Sequence, residues 1–281
     1  CLAGAARSRS FRSMGRLEAA LRDLRLADTL AARDTPVSRL DPRAKVLVTA
    51  AFLVAVASFN RYALSSLAPF ALYPLWLAVA GRVPAGWLAR KLAIAAPFAA
   101  MVAIANPILD TAPMLRLADA TVSAGWVSFA SILARVGLTI AAALAVAAGT
   151  GMHALAAALA ALGVPRVFTG QLLFLWRYAF VLGGEASRMQ AARTLRGGRG
   201  SPALAVYGPL AGHLLLRAFE RGERIHRAMR ARGYDGEIRT LRELRWQVRD
   251  TVFVLGWCAY FALARSVDLP LALGRAITGA P

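Results

Sequence analysis

Five apolar runs of near-spanning length, separated by segments in which arginine is alternately abundant and scarce, constrain this chain more than any other feature. They extend from Lys45 to Phe59, Tyr62 to Ala80, Leu92 to Leu109, Trp126 to Ala148 and Thr251 to Leu269. A helix that crosses about 30 Å of hydrocarbon needs about 20 mostly apolar residues. The first run is short, and tilt or local thinning of the bilayer accommodates it. Composition agrees: 58% of the 281 residues are hydrophobic and the mean hydropathy is +0.52. That is too apolar for a soluble nucleic-acid-binding protein, despite a net charge of +19. The expected fold class is an all-α integral membrane protein with about five transmembrane helices.

The cations set the orientation. Ten of the 34 Lys and Arg precede the first run, counting Lys45; three lie between Gly81 and Lys91, and sixteen lie between Thr150 and Asp250. Arg61, Arg116 and Arg275 occupy the alternate connections, and Arg135 and Arg265 lie within apolar runs. The positive-inside rule then puts the N-terminus in the cytoplasm of a multi-pass protein of the cell (inner) membrane, with the C-terminus outside. The expected division is a cytoplasmic segment over 1–44, spans one to four over 45–149, a cytoplasmic helical module over 150–245, a fifth span over 246–270 and an external tail over 271–281. Within the first segment, Gly15 to Ala32 places Leu17, Leu21 and Leu24 on one face of an amphipathic helix suited to the membrane surface. The chain starts at Cys1, which leaves its native start open.

A sixth apolar stretch, Phe168 to Leu182, is ambiguous. If it crossed, the following arginines would lie outside and Arg177 would sit near mid-bilayer, at about 2.5–3.5 kcal/mol. It reads as a buried or interfacial helix. Arg135 meets the same objection less strongly, so it should face the bundle interior or a polar partner.

The basic module reads as three helices, near Met152–Leu162, Arg166–Leu195 and Pro202–Ala231, broken at Gly163 to Pro165, Gly197 to Pro202 and Gly233 to Gly236. The third offers an apolar stripe of Leu216, Phe219, Ile225 and Met229, with Arg217, Arg221, Arg224, Arg227 and Arg230 opposite. Both long helices end alike, as Leu195-Arg196-Gly197 and Ala231-Arg232-Gly233. Glycine past the last turn and cations near it are ordinary capping chemistry. Two such ends in one module nonetheless form a pseudo-repeat, suited to two copies of one partner that receives a guanidinium in an acidic groove. At the mouth of the first run, Asp41 is placed as an N-cap with Pro42 at the first helical position.

Chemistry is sparse. The sequence has no G-x-x-x-x-G-K-[ST] loop for ATP. His153, His213 and His226 lie far apart and have no His, Cys or carboxylate at i+3 or i+4, and Cys1 and Cys258 are too few for a zinc site. Neither a cofactor nor a metal site is expected, and no catalytic set can be assembled. The acidic residues form no cluster within the spans, which disfavours a self-sufficient, proton-coupled secondary carrier. A membrane enzyme acting on anionic lipid or phosphate substrates, with the cytoplasmic arginines as an anion site, is a third reading and the least favoured, since catalytic acids are missing.

Several motifs resemble the CbiQ-type transmembrane T component of energy-coupling-factor transporters, found in cobalt uptake systems. They are Leu40-Asp41-Pro42-Arg43-Ala44-Lys45, the run from Arg177 through Glu185 and Arg188 to Met189, Arg196-Gly197, and Ala228 to Gly236. The resemblance covers residues 26 to 265, and the last run is its most specific part. It implies an L-shaped membrane bundle with cytoplasmic coupling helices. The helix ends Leu195-Arg196-Gly197 and Ala231-Arg232-Gly233 would dock into two ABC-type ATPase subunits. Leu195 stands where Ala is usual in the family. It further implies a separate membrane S component that binds the substrate, a small accessory membrane subunit, a lipid bilayer as surroundings and no nucleic acid. Cobalt against nickel stays open, as does a vitamin-type T component.

Overall fold

The computed structural model describes residues 19, 22–60, 62–110, 113–117, 120–196, 204–236 and 244–266. These fall into two compact units, one within Cys1–Thr29 and Leu159–Glu243, the other within Leu30–Ala158 and Leu244–Pro281. Helix α1 covers residues 22–31; the part of the expected amphipathic helix before it, except residue 19, lies outside the described residues. Then follow α2 (Pro42–Ala57), α3 (Leu64–Leu67), a 3₁₀ turn (Pro69–Ala71), α4 (Leu72–Ala80), α5 (Ala85–Ala103) and α6 (Ala105–Leu109). Strands β1 (Pro113–Leu117) and β2 (Ala120–Ser123) precede α7 (Ala124–Thr150), α8 (Met152–Ala161), α9 (Arg166–Leu195), α10 (Leu204–Ala231) and α11 (Val248–Ser266).

The larger unit is built from α2 to α7 and α11. Asp41 starts α2 as expected: its Oδ1 accepts the Arg43 N–H at 2.8 Å, with Pro42 in the first turn. The same sequence does more than start a helix. Lys45 is 1% exposed and donates from Nζ to the Val37 carbonyl at 3.1 Å. Asp250 is fully buried; its two oxygens accept the Asp41 and Gln247 N–H groups at 2.8 Å each, joining the starts of α2 and α11. Deeper in, Phe52, Phe70, Tyr73, Trp257 and Phe261 form an aromatic core, with ring centroids 4.9 to 6.2 Å apart where they touch. The Tyr73 hydroxyl is satisfied by Thr49 at 2.8 Å. Gly125 is required where α6 meets α7, because a Cβ there would lie 2.4 Å from the Asn106 carbonyl oxygen and 2.6 Å from that of Asp110.

Several expectations about the runs are corrected. The second run is not one helix: Pro69 supplies no N–H, and the chain passes through α3 and the 3₁₀ turn before α4. The third begins at Ala85, directly after Pro84, and so takes in Arg90 and Lys91. A two-stranded antiparallel hairpin, β1–β2, interrupts the otherwise all-α fold between α6 and α7. Among the described residues three helices are long and apolar enough to cross a membrane: Ala85–Ile108, Ala124–Thr150 and Arg166–Leu195. At 16 residues α2 reaches only about 24 Å, and α11 carries Arg249, Asp250 and Arg265. Large apolar side chains such as Phe98 and Ile108 are 70% and 72% exposed, as lipid-facing residues of a membrane protein are. Arg135 finds its polar partner in the Asn60 carbonyl.

The smaller unit is dominated by α9 and α10. The Trp176 indole N–H donates to Asp28 Oδ2 at 3.1 Å, tying α1 to α9.

Candidate docking surface

Helices α9 and α10 run antiparallel. Residues 188–196 of α9 line one cavity with residues 209–217 of α10, whereas Gln171, Phe174 and Tyr178 line another with Ile225, His226 and Met229. Between these two cavities the pair is clamped by Glu185. Its carboxylate accepts Arg217 Nη1 at 3.0 Å through one oxygen and Arg221 Nη2 at 3.1 Å through the other. Glu185 is 7% exposed. The hydrogen bond from Arg217, with the positive charges of Arg221, Arg217 and Arg188 around it, holds its carboxyl below the usual glutamate range against the opposing effect of burial.

The clamp corrects the expected pattern of α10. Leu210, Leu214, Ala218, Arg221, Ile225 and Met229 form the half-buried stripe along the helix, so Arg221 belongs to the packed face. Leu216 and Phe219, assigned to one stripe with Ile225 and Met229, are instead 62% and 65% exposed. Sequence reasoning named Glu185 but missed its partners. The signal was there: Glu185 is the only carboxylate between Asp119 and Glu220.

The two arginine-bearing helix ends differ in detail. At the end of α10, the Gly233 N–H donates to the Arg230 carbonyl and the Tyr234 N–H to the Met229 carbonyl, both at 3.0 Å. Gly233 has φ +82°. This is a Schellman ending, which leaves Arg232 exposed on the last turn with Ala231 before it. Tyr234 folds back beside Met229 in the lining of a cavity of about 420 Å³. At the end of α9, Arg196 is the C-cap and its N–H donates to the Ala192 carbonyl at 3.1 Å. Arg196 is exposed and Leu195 is 89% exposed; Gly197 lies outside the described residues. The antiparallel arrangement does not bring Arg196 and Arg232 together. It sets them at opposite ends of the pair, separated by roughly the length of α10, about 40 Å.

The remaining motif residues take other places. Arg177 and Arg188 are exposed on α9. Asp41, Pro42, Arg43 and Lys45 belong to the junction at the start of α2, where Asp41, Pro42 and Lys45 are buried. No group of three His, Cys, Asp or Glu able to hold a metal occurs among the described residues.

The CbiQ family, described as cobalt transport proteins, matches residues 33–242. This chain belongs to that family. The match includes α9, α10 and both arginine-bearing ends. Over 86 residues the chain is 37% identical to an uncharacterized protein of Methanocaldococcus jannaschii, a stretch covering 30% of this chain and 32% of that one. Over 75 residues it is 37% identical to a protein of Methanocorpusculum labreanum named as a fused cobalt transport protein, CbiMQ, covering 26% of this chain and 12% of the relative. Both stretches are minor parts of the relatives they match.

Proposed function

We propose that this CbiQ family member is the non-catalytic transmembrane coupling subunit of an ATP-driven importer of the energy-coupling-factor type, with a transition-metal ion, cobalt or nickel, as cargo. Energy comes from two ABC-type ATPase subunits, and a separate membrane S component binds the metal. The name of the fused relative supports a further transport component that works with a chain of this type. The carrying observation is that two exposed arginines, each on the last turn of a long helix, stand at opposite ends of one clamped antiparallel pair. Arg196 and Arg232 are the contacts with the ATPases. Each guanidinium offers a planar fork of donors to a carboxylate-lined groove. Because Glu185 ties α9 to α10, a displacement of either ATPase turns the pair as one lever, and the membrane bundle receives that motion. In this reading the α9–α10 module faces the cytoplasm of the inner membrane.

The test is co-purification of the ATPase pair with full-length protein carrying Arg196→Glu, Arg232→Glu or both. Each single reversal weakens the association and the double reversal abolishes it. Expression and membrane insertion stay unchanged, since both side chains are exposed. An ATPase pair that still co-purifies with the double variant would sink the proposal. Gradient-dependent metal uptake by this chain alone in liposomes would show a secondary carrier instead.

A further inference from the structure

We infer that the cleft between the second half of α9 and the first half of α10 is a phosphate-binding site, taking the headgroup of an anionic phospholipid or a soluble phosphate. The cleft has a volume of about 880 Å³, and its lining includes Arg188, Arg193, Arg196, Arg217 and His213. The charge of this region is one-sided. Between Glu185 and Glu220 the sequence holds Arg188, Arg193, Arg196, Arg199 and Arg217, with no carboxylate. Glu185, at the inner end, is already engaged by Arg217 and Arg221. Arg193 and Arg196 make no ion pair with a carboxylate among the described residues, and they stand three residues apart on one helix, where like charges repel. An anion seated in the cleft converts that repulsion into charge-assisted hydrogen bonds.

The shape and lining narrow the ligand. Residues 185, 188, 189, 192, 193 and 196 fall on one face of α9, so the guanidiniums stand among Met189 and Ala192, facing Pro209 and Leu210 of α10. A concave site with cationic donors and apolar walls fits a compact tetrahedral anion carried on an apolar body. The guanidinium fork matches phosphate oxygens in pairs. Arg196 is shared with the proposed ATPase contact, whereas Arg188, Arg193 and Arg217 lie back from the helix end and supply cations to the cleft apart from it.

The experiment uses the full chain in nanodiscs of mixed phosphatidylcholine and phosphatidylglycerol. Native mass spectrometry counts the lipids retained on release, and a parallel thermal-unfolding titration uses pyrophosphate. Wild type retains phosphatidylglycerol in preference to phosphatidylcholine, and Arg188→Gln/Arg193→Gln lowers that retention about tenfold, the scale of one lost hydrogen bond to a charged group. Arg188→Lys/Arg193→Lys keeps the charge, loses the fork and retains an intermediate share, which guards against misfolding of the Gln pair. A pyrophosphate-dependent stabilisation without phosphatidylglycerol enrichment, lost in the Gln pair, assigns the site to a soluble phosphate. Neither signal in wild type, or signals undiminished in the Gln pair, overturns the inference. Because Arg196 and Arg232 are intact, the Gln pair still co-purifies with the ATPases, so failure here is distinct from failure of the docking proposal.

Discussion

Glu185 does the most with a single side chain. It is a nearly buried carboxylate whose two oxygens serve two different arginines of the neighbouring helix. Its carboxyl is held below the usual glutamate range, by the Arg217 hydrogen bond first and by the surrounding positive charge after it. The folded state therefore binds fewer protons than the unfolded state in the window between the lowered value and the ordinary one, about 4.5. The contribution of the clamp is complete above that ordinary value. It is lost as the pH falls below it and through the lowered one. Thermal unfolding of the detergent-solubilised chain, followed by circular dichroism, should show wild type losing more stability between neutral and acid pH than Glu185→Gln, in which this proton uptake is absent. Equal acid sensitivity of the two proteins would mean that Glu185 is not linked to folding. Asp250 shows the same economy in the larger unit, where one buried carboxylate serves the backbone N–H groups at two helix starts.

At the scale of an element, the end of α10 carries a requirement that the end of α9 does not share. Gly233 sits at φ +82°, and a Cβ there would meet nothing within 4 Å. The penalty for Gly233→Ala is then one of backbone conformation alone, about 1–2 kcal/mol. Asn, which visits this region more readily, should lose less. We expect Gly233→Ala to raise hydrogen exchange at the Gly233 and Tyr234 amides, which close the Schellman ending, and to weaken ATPase co-purification several-fold without abolishing it. Gly233→Asn should fall between Ala and wild type; Ala indistinguishable from wild type in both measurements would remove the ending from the docking site. The sequence made both α9 and α10 legible to within two residues, because Pro165, Gly197 and Gly233 punctuate them. It did not make their contact legible. Periodicity grouped Leu216 and Phe219 with Ile225 and Met229, yet the packed face is set by Glu185 drawing Arg221 inward. An ion pair between residues 36 positions apart leaves no periodic trace. Likewise, hydropathy read Tyr62 to Ala80 as one run, since Pro69 interrupts the helix without lowering the apolar content.

At the scale of the whole molecule, α9 is long and apolar enough to cross a membrane, yet the proposed role as part of a cytoplasmic lever requires that it does not. Two costs oppose crossing. Arg177 lies near the middle of α9, where an arginine in the bilayer centre adds about 2.5–3.5 kcal/mol on insertion scales. The arginine-rich sequence beyond it weighs more heavily: crossing would carry Arg188 through Arg232 out of the compartment that the positive-inside rule assigns them. We therefore predict that α9 lies on the cytoplasmic side, with the connection between α6 and α7 outside. In a Cys1→Ser/Cys258→Ser background, a membrane-impermeant maleimide applied to intact cells should label Asp119→Cys. It should label Arg224→Cys on α10 only after permeabilisation. Labelling of both cysteines in intact cells would mean that α9 crosses, and it would remove Arg232 from the reach of a cytoplasmic ATPase. Labelling of Asp119→Cys only after permeabilisation would invert the whole bundle. The pattern of two cysteines thus decides whether the excess of arginine orients this protein in its membrane as well as furnishing its contacts.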